Sequence, residues 1–260
     1  MELSTAATVA PSANERYAPR IVKVSLCLLT FDELPGCEID VPQIDRDAFD
    51  EVFAVDGGSA DGTGEYLESQ GIPVHLQKKR GLNQAYIEAA QIAQGDAVVV
   101  FFPKGTVSPA ILPRMRELLE EGNELVIPSR NLPDGINEED SQWLRPRKWA
   151  ATCLSWFIHV AWNRHGPRIT DVLHGIKGFR KDAFERIGLS ELKVTVDLEC
   201  AVRAYRLGLR YVEFPVEEKA RFYGETHFKA LACGKEYIRF FRYETSQRGR
   251  SDLLAPIVIP

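Results

Sequence analysis

No two of the five cysteines, Cys27, Cys37, Cys153, Cys200 and Cys233, stand in a CxxC pair or share a repeated spacing, which excludes the usual zinc-site patterns and a disulfide framework. Cys27 and Cys200 lie in apolar surroundings and are expected as buried thiols. His159, His165, His174 and His227 show no metal-ligand spacing. Long hydrophobic runs are also missing: nothing approaches the ~18 consecutive apolar residues of a membrane-spanning helix, and the N-terminus lacks the basic-then-apolar order of a secretion signal. Basic charge is in deficit, with 32 Lys and Arg against 37 Asp and Glu and a formal net charge of −5. That balance argues against nucleic acid as a partner. A cytoplasmic protein is expected, with any membrane attachment peripheral and at the inner face.

The 260 residues suffice for one well-buried α/β domain. Three short runs are β-branched and apolar on both faces, as central parallel strands are: the stretch from Ile21 to Thr30, Glu51 to Val55 and Ala97 to Phe102. Helical patterns fall between them, at Gly64 to Gln70 and at Asn83 to Ala93, the latter stopped by Gly95. Strand and helix in alternation imply right-handed crossovers, and ligands of such sheets bind beyond the carboxyl ends of the strands. The loops after Leu29, Val55 and Phe102 are therefore the places to look for chemistry. Further on, helices are expected near Pro109 to Glu121, Asp197 to Leu207 and Lys235 to Arg242, with strands at Glu124 to Pro128 and Arg210 to Pro215 and a polar loop at Asn131 to Gln142. The expected organisation is a flexible arm over 1–20, the folded domain over 21–230, and a basic, aromatic helix and tail over 231–260.

After the second strand the chain reads Asp56-Gly57-Gly58-Ser59-Ala60-Asp61-Gly62-Thr63. Its glycines let the backbone approach a ligand, and its carboxylates can accept from base or ribose groups; a plain strand-to-helix turn with Ser59 or Asp61 as N-cap is the alternative. It is not a GxGxxG fingerprint. VDGGSADGT resembles the nucleotide-binding turn of family 2 glycosyltransferases, usually close to VDDGSxDGT. Thr30-Phe31-Asp32-Glu33 is similar to that family's TYNE, and Arg80-Gly81-Leu82-Asn83-Gln84-Ala85 to its approach to the metal motif. Ser129-Arg130, Asp171-Val172-Leu173-His174-Gly175 with Gly178-Phe179-Arg180, and Arg221-Phe222-Tyr223-Gly224-Glu225 resemble landmarks of its polyprenyl-phosphate branch, typified by dolichol-phosphate mannosyltransferase. The resemblance runs in order from about Ile21 to Phe228. It implies a GT-A fold, a Rossmann-like mixed sheet flanked by helices in a single domain, and an inverting hexosyltransferase acting in polysaccharide or glycolipid biosynthesis. Its partners would be a nucleotide-sugar donor and a lipid-phosphate or saccharide acceptor.

One departure stands out. Where the family carries a DxD pair that holds Mg or Mn, this chain has Phe102-Pro103-Lys104, so no metal ligand is assigned. Either the Lys104 ammonium takes over the cation's task at the diphosphate, or the protein is a catalytically silent nucleotide-sugar-binding or scaffolding protein on the same fold. By resemblance, Thr30, Phe31, Glu33, Asp56, Gly58, Ser59, Asp61 and Gly81 face the donor. Lys104, Asp171 and Glu199 are the catalytic candidates, the two carboxylates as hydroxyl-orienting groups or general bases. Arg130, Arg147, Arg221 and His227 are candidates for phosphate or acceptor contact. Surface ion pairs and helix caps are the structural alternatives for the arginines and the two carboxylates. The stretch Trp149 to Trp162 has three tryptophans behind Arg145, Arg147 and Lys148. It is too short to span a bilayer and reads as a core helix or an interfacial one.

Overall fold

The computed structural model describes residues 22–141, 143, 145–163, 166–223 and 230–247; the expected N-terminal arm and His227 lie outside them. Strand β1 (Val24–Thr30) is buried along its whole length, as is β4 (Ala97–Phe101). Both read as near-continuous Val, Leu and Ala because helices cover both faces of the sheet. β1 pairs in parallel with β4 on one side and with β2 (Glu51–Asp56) on the other, and β2 with β3 (Val74–Leu76). Beyond β4 the sheet turns mixed: β6 (Lys177–Arg180) runs antiparallel between β4 and β5 (Leu125–Ser129), and β7 (Tyr211–Pro215) closes the edge parallel to β5. The order is β3-β2-β1-β4-β6-β5-β7, the helix-flanked mixed sheet that the sequence led us to expect.

The two faces of β1 feed two cores. Cys27 and Leu29 face a cluster with α3 (Leu82–Ile92), α5 (Pro146–Trp162), α7 (Val196–Leu207) and α8 (Ala230–Ser246). Leu26 and Leu28 face a second cluster with α1 (Leu34–Asp40), α2 (Thr63–Ser69) and α4 (Leu112–Glu120). A short helix, α6 (Lys181–Ile187), follows β6 and contributes Ala183, Phe184 and Ile187 to the first. The sequence reading set residues from 231 onward apart from the domain. Phe240 and Glu244 of α8 are fully buried, so one side of this helix packs against the first cluster. Helix α5 is also two-sided: Ala151, Ser155, Ile158 and Trp162 are buried, while Trp149, Trp156, Phe157 and Val160 face water. No helix among the described residues is long and apolar enough to cross a membrane.

Register places the reactive edge. Thr30 pairs with Asp56 across β1 and β2, and Leu28 with Phe101 across β1 and β4, so three strands end side by side and their loops meet over one rim.

Candidate functional site

Two adjoining compartments open along that rim. The first, of ≈ 800 Å³, is lined by Thr30, Phe31, Glu33, Gly57, Gln77, Arg80, Gly81, Leu82, Phe102 and Lys104 among others. The second, of ≈ 980 Å³, has Arg130, His174, Asp197 and Glu218 in its wall, with Cys233 and Tyr237 supplied by α8. Leu82, Phe102 and Lys104 belong to both.

The turn after β2 holds itself together. Asp56 Oδ2 accepts from the amides of Gly58 (2.9 Å) and Ser59 (2.8 Å), and its Oδ1 from Thr30 Oγ1 (2.8 Å) and Ser59 Oγ (2.6 Å). Asp61 Oδ1 accepts from the Thr63 amide (3.0 Å) and hydroxyl (2.5 Å), and Oδ2 from the Leu34 amide (3.0 Å), which ties the start of α1 to the start of α2. Of the turn residues expected at the ligand, Asp56, Gly58, Ser59 and Asp61 thus shape the wall, while Gly57 lines the cavity itself. Gly58, at φ 89°, occupies the left-handed region that the tight return requires.

Glu33 is a junction, 2% exposed. Its Oε2 accepts from Tyr223 Oη at 2.5 Å and from Arg221 Nη2, and its Oε1 lies 4.0 Å from Lys104 Nζ. Arg221, a candidate for phosphate contact, is directed to Glu33. The loop carrying Lys104 approaches so closely that a Cβ on Gly36 would lie 2.4 Å from the Pro103 carbonyl and 2.2 Å from Tyr223 Oη; only glycine fits there. Asp40 Oδ2 anchors the far side of the loop, accepting from the Gly105 amide at 2.7 Å. The Lys104 ammonium lies 4.8 Å from the Phe102 ring centroid. Burial pushes it below the usual lysine range, and Glu33 opposes that shift.

The two carboxylates named as catalytic candidates are both engaged within the protein. Asp171 is fully buried and clasped by Arg130, Nε to Oδ2 at 2.7 Å and Nη2 to Oδ1 at 2.8 Å. Burial alone would raise its carboxyl, but the guanidinium outweighs it and holds it at about 2, too weak a base for neutral pH. Glu199 is farther from the task. At 0% exposure it lies among α3, α6 and α7, accepting from Asn83 Nδ2 (2.8 Å), the Ser190 amide (2.8 Å) and Arg203 (2.6 Å), and it lines neither compartment. Arg130 does line the second compartment, with Nη1 on Glu218 at 2.6 Å. The side chain of Arg147 is outside the described set. Sequence reasoning missed Gln77, Asp197 and Glu218. Asp197 lies in the first turn of α7, and burial raises its carboxyl against the pull of Lys177 2.5 Å away.

His174 carries a testable pH signature. Burial pushes its imidazole to about 4, below the ordinary ~6.5. The unfolded chain therefore takes up this proton first, and the contribution is present above about pH 6.5 and lost as pH falls towards 4. Asp40, pushed up by burial to about 6, acts in the opposite sense over much of that window. The His174 share is thus read from a difference: on going from pH 7 to 4.5, the unfolding free energy of wild type in urea should fall by on the order of 2 kcal/mol more than that of His174→Gln. Parallel pH profiles for the two proteins would refute it.

Cleft, rim loops and strand order together define a glycosyltransferase of the GT-A fold. The chain belongs to glycosyl transferase family 2, whose sequence model matches residues 43–188. It is 27% identical over 241 residues to the undecaprenyl-phosphate mannosyltransferase of Micrococcus luteus, covering 87% of this chain and 96% of that one. It is also 27% identical to the polyprenol monophosphomannose synthase of Mycolicibacterium smegmatis, over 80% of each chain. Among solved structures, glucosyl-3-phosphoglycerate synthase from Mycobacterium tuberculosis, in complex with Mn2+, UDP and glucosyl-3-phosphoglycerate, superposes with a TM-score of 0.62 at 17% identity, over 94% of this chain and 87% of that one; the likeness is one of fold.

Proposed function

We propose that this glycosyltransferase moves a sugar, with inversion, from a nucleotide-sugar to a polyprenyl-type lipid phosphate, and that Lys104 replaces the divalent cation. The observation that carries the reading is the place of the Lys104 ammonium, at the seam shared by the two compartments. Departure of a nucleoside diphosphate builds negative charge there, and a cation already fixed in a partly dry site stabilises it without reorganisation. The residues at the DxD positions do not suit a metal: Phe102 has no donor atom and Lys104 would repel the ion.

In this reading the first compartment takes the nucleoside. Phe31 and Leu82 offer it apolar walls, Gly57 and Gly81 allow close backbone approach, and Gln77 and Arg80 supply polar contacts. The second compartment takes the acceptor. Its carboxylates are engaged, Asp197 by Lys177 and Glu218 by Arg130, and Asp171 is held at about 2. A phosphate acceptor, already ionised, asks for no base, whereas a sugar hydroxyl does. The names of two relatives, an undecaprenyl-phosphate mannosyltransferase and a polyprenol monophosphomannose synthase, support the same choice, and such an acceptor keeps the enzyme in peripheral contact with a membrane. Transfer from UDP- and GDP-hexoses to a water-soluble short-chain polyprenyl phosphate, with the product's anomeric configuration read by NMR, tests it. The expected product is the inverted sugar phosphodiester. Transfer to saccharide hydroxyls alone, or retained configuration, would sink the proposal.

A further inference from the structure

We propose that the outer faces of α5 and α8 form one docking surface for an anionic lipid membrane, which deepens the lipid-acceptor reading above and rests on it for its purpose. Trp149, Cys153, Trp156, Phe157 and Val160 follow one another at helical spacing along the water-facing side of α5. Trp149 is 54% exposed, Trp156 52%, Phe157 52% and Val160 78%. An exposed helix face is ordinarily polar; here no Asp, Glu, Lys or Arg occurs between Trp149 and Val160. The opposite face already carries the packing duty, so the core does not explain these aromatics. Exposed apolar patches of this kind mark contact surfaces.

The neighbouring helix supplies the charge. Phe157 meets the Phe241 ring at 5.5 Å and Trp162 meets it at 5.7 Å, so α5 and α8 lie side by side. Along α8 the exposed residues Lys235, Ile238, Arg239 and Arg242 share one side, while both acids turn inward: Glu236 accepts from the Lys193 and Val194 amides, and Glu244 is buried. Arg168 adds a guanidinium 4.5 Å from the Trp156 ring centroid. In a chain with net charge −5 this is local segregation of charge, not general basicity. Aromatic residues that enter the headgroup boundary beside cations that meet anionic headgroups are the chemistry of an interfacial helix pair. A two-fold pairing with a second copy would bring the cations of α8 against their own images; an anionic membrane has no such conflict. Docking this way also sets the second compartment at headgroup level, because Cys233 and Tyr237 on the inner side of α8 line it.

The test is co-sedimentation of the full chain with vesicles of phosphatidylcholine alone or enriched in phosphatidylglycerol, without nucleotide or acceptor. Wild type should bind the anionic vesicles at least ~10-fold more tightly. Lys235→Glu/Arg242→Glu should remove most of that preference, and Trp156→Ser/Phe157→Ser should weaken binding by at least ~10-fold. Lys235→Glu/Arg242→Glu should keep the wild-type melting temperature, Trp156→Ser/Phe157→Ser should lose only the few degrees that the Phe157 ring contacts are worth, and both should keep full transfer to the short-chain acceptor at a temperature where they are folded. Brominated lipid should quench the tryptophan fluorescence of the unaltered protein, a reading that needs no variant. Equal binding to neutral vesicles, absence of quenching, or a dimer that Trp156→Ser/Phe157→Ser dissolves would overturn the proposal. If vesicles bind as expected but the short-chain acceptor is never glycosylated, the functional reading fails and the docking surface stands.

Discussion

Lys104→Ala is expected to lower kcat by about 10²–10³, the range seen when one preorganised charge-stabilising group is removed, with a smaller rise in the donor KM. The asymmetry follows from when the charge appears. In the bound donor the diphosphate shares its charge with the sugar ester; as the glycosidic bond breaks, that charge grows on the oxygen nearest the seam, so the ammonium is worth more in the transition state than before it. Lys104→Arg should recover part of the loss, and Lys104→Gln, similar in length without charge, should not. Steady-state kinetics separate the cases: a purely structural lysine would lose activity in all three variants in step with their melting temperatures, whereas the proposed role lets activity follow charge. An active Lys104→Ala enzyme would remove the basis for metal-free leaving-group stabilisation.

Glu244→Ala should cost ~3–5 kcal/mol and lower the melting temperature by about 10 °C. Glu244 is fully buried at the end of α8, accepting from Arg203 Nε at 2.9 Å and pairing with Arg206, while Arg203, itself fully buried, also holds Glu199 at 2.6 Å. Taking away one carboxylate leaves a buried guanidinium undercompensated, which costs far more than an exposed pair is worth. The same change loosens the helix that closes the second compartment, so the acceptor KM should rise before the donor KM does. Calorimetry and acceptor titration read both effects. A melting temperature within ~2 °C of wild type would mean that this network does not fasten α8.

The strands β1, β2 and β4 were legible because they are buried on both faces, and such burial leaves a continuous apolar run. The strand β6 was not: Lys177-Gly178-Phe179-Arg180 has no strand-like pattern, and it is placed between β4 and β5 by antiparallel pairing with both and by burial of Phe179. At the site, the sequence pointed to the loops that line the two compartments but not to the directions of their side chains. Thr30, Phe31, Glu33, Gly81, Lys104 and Arg130 reach the compartments, whereas Asp56 and Asp61 use their oxygens on the turn that an Asp-Gly-Ser sequence favours anyway. Glu199 had a readable warning: Arg203 follows it at i+4 on a helix, the spacing of an ion pair. What sequence alone could not give is the depth at which that pair is buried.

The most direct measurement is calorimetric binding of UDP- and GDP-sugars to the full chain, once with Mg2+ or Mn2+ and once in excess EDTA, followed by turnover under both conditions. With Lys104 in the cation's place, donor affinity and kcat should agree within ~3-fold, less than the ~10-fold that 1.4 kcal/mol represents. Loss of binding or turnover in EDTA, restored by Mn2+, would contradict the central claim and send the search to another set of carboxylates.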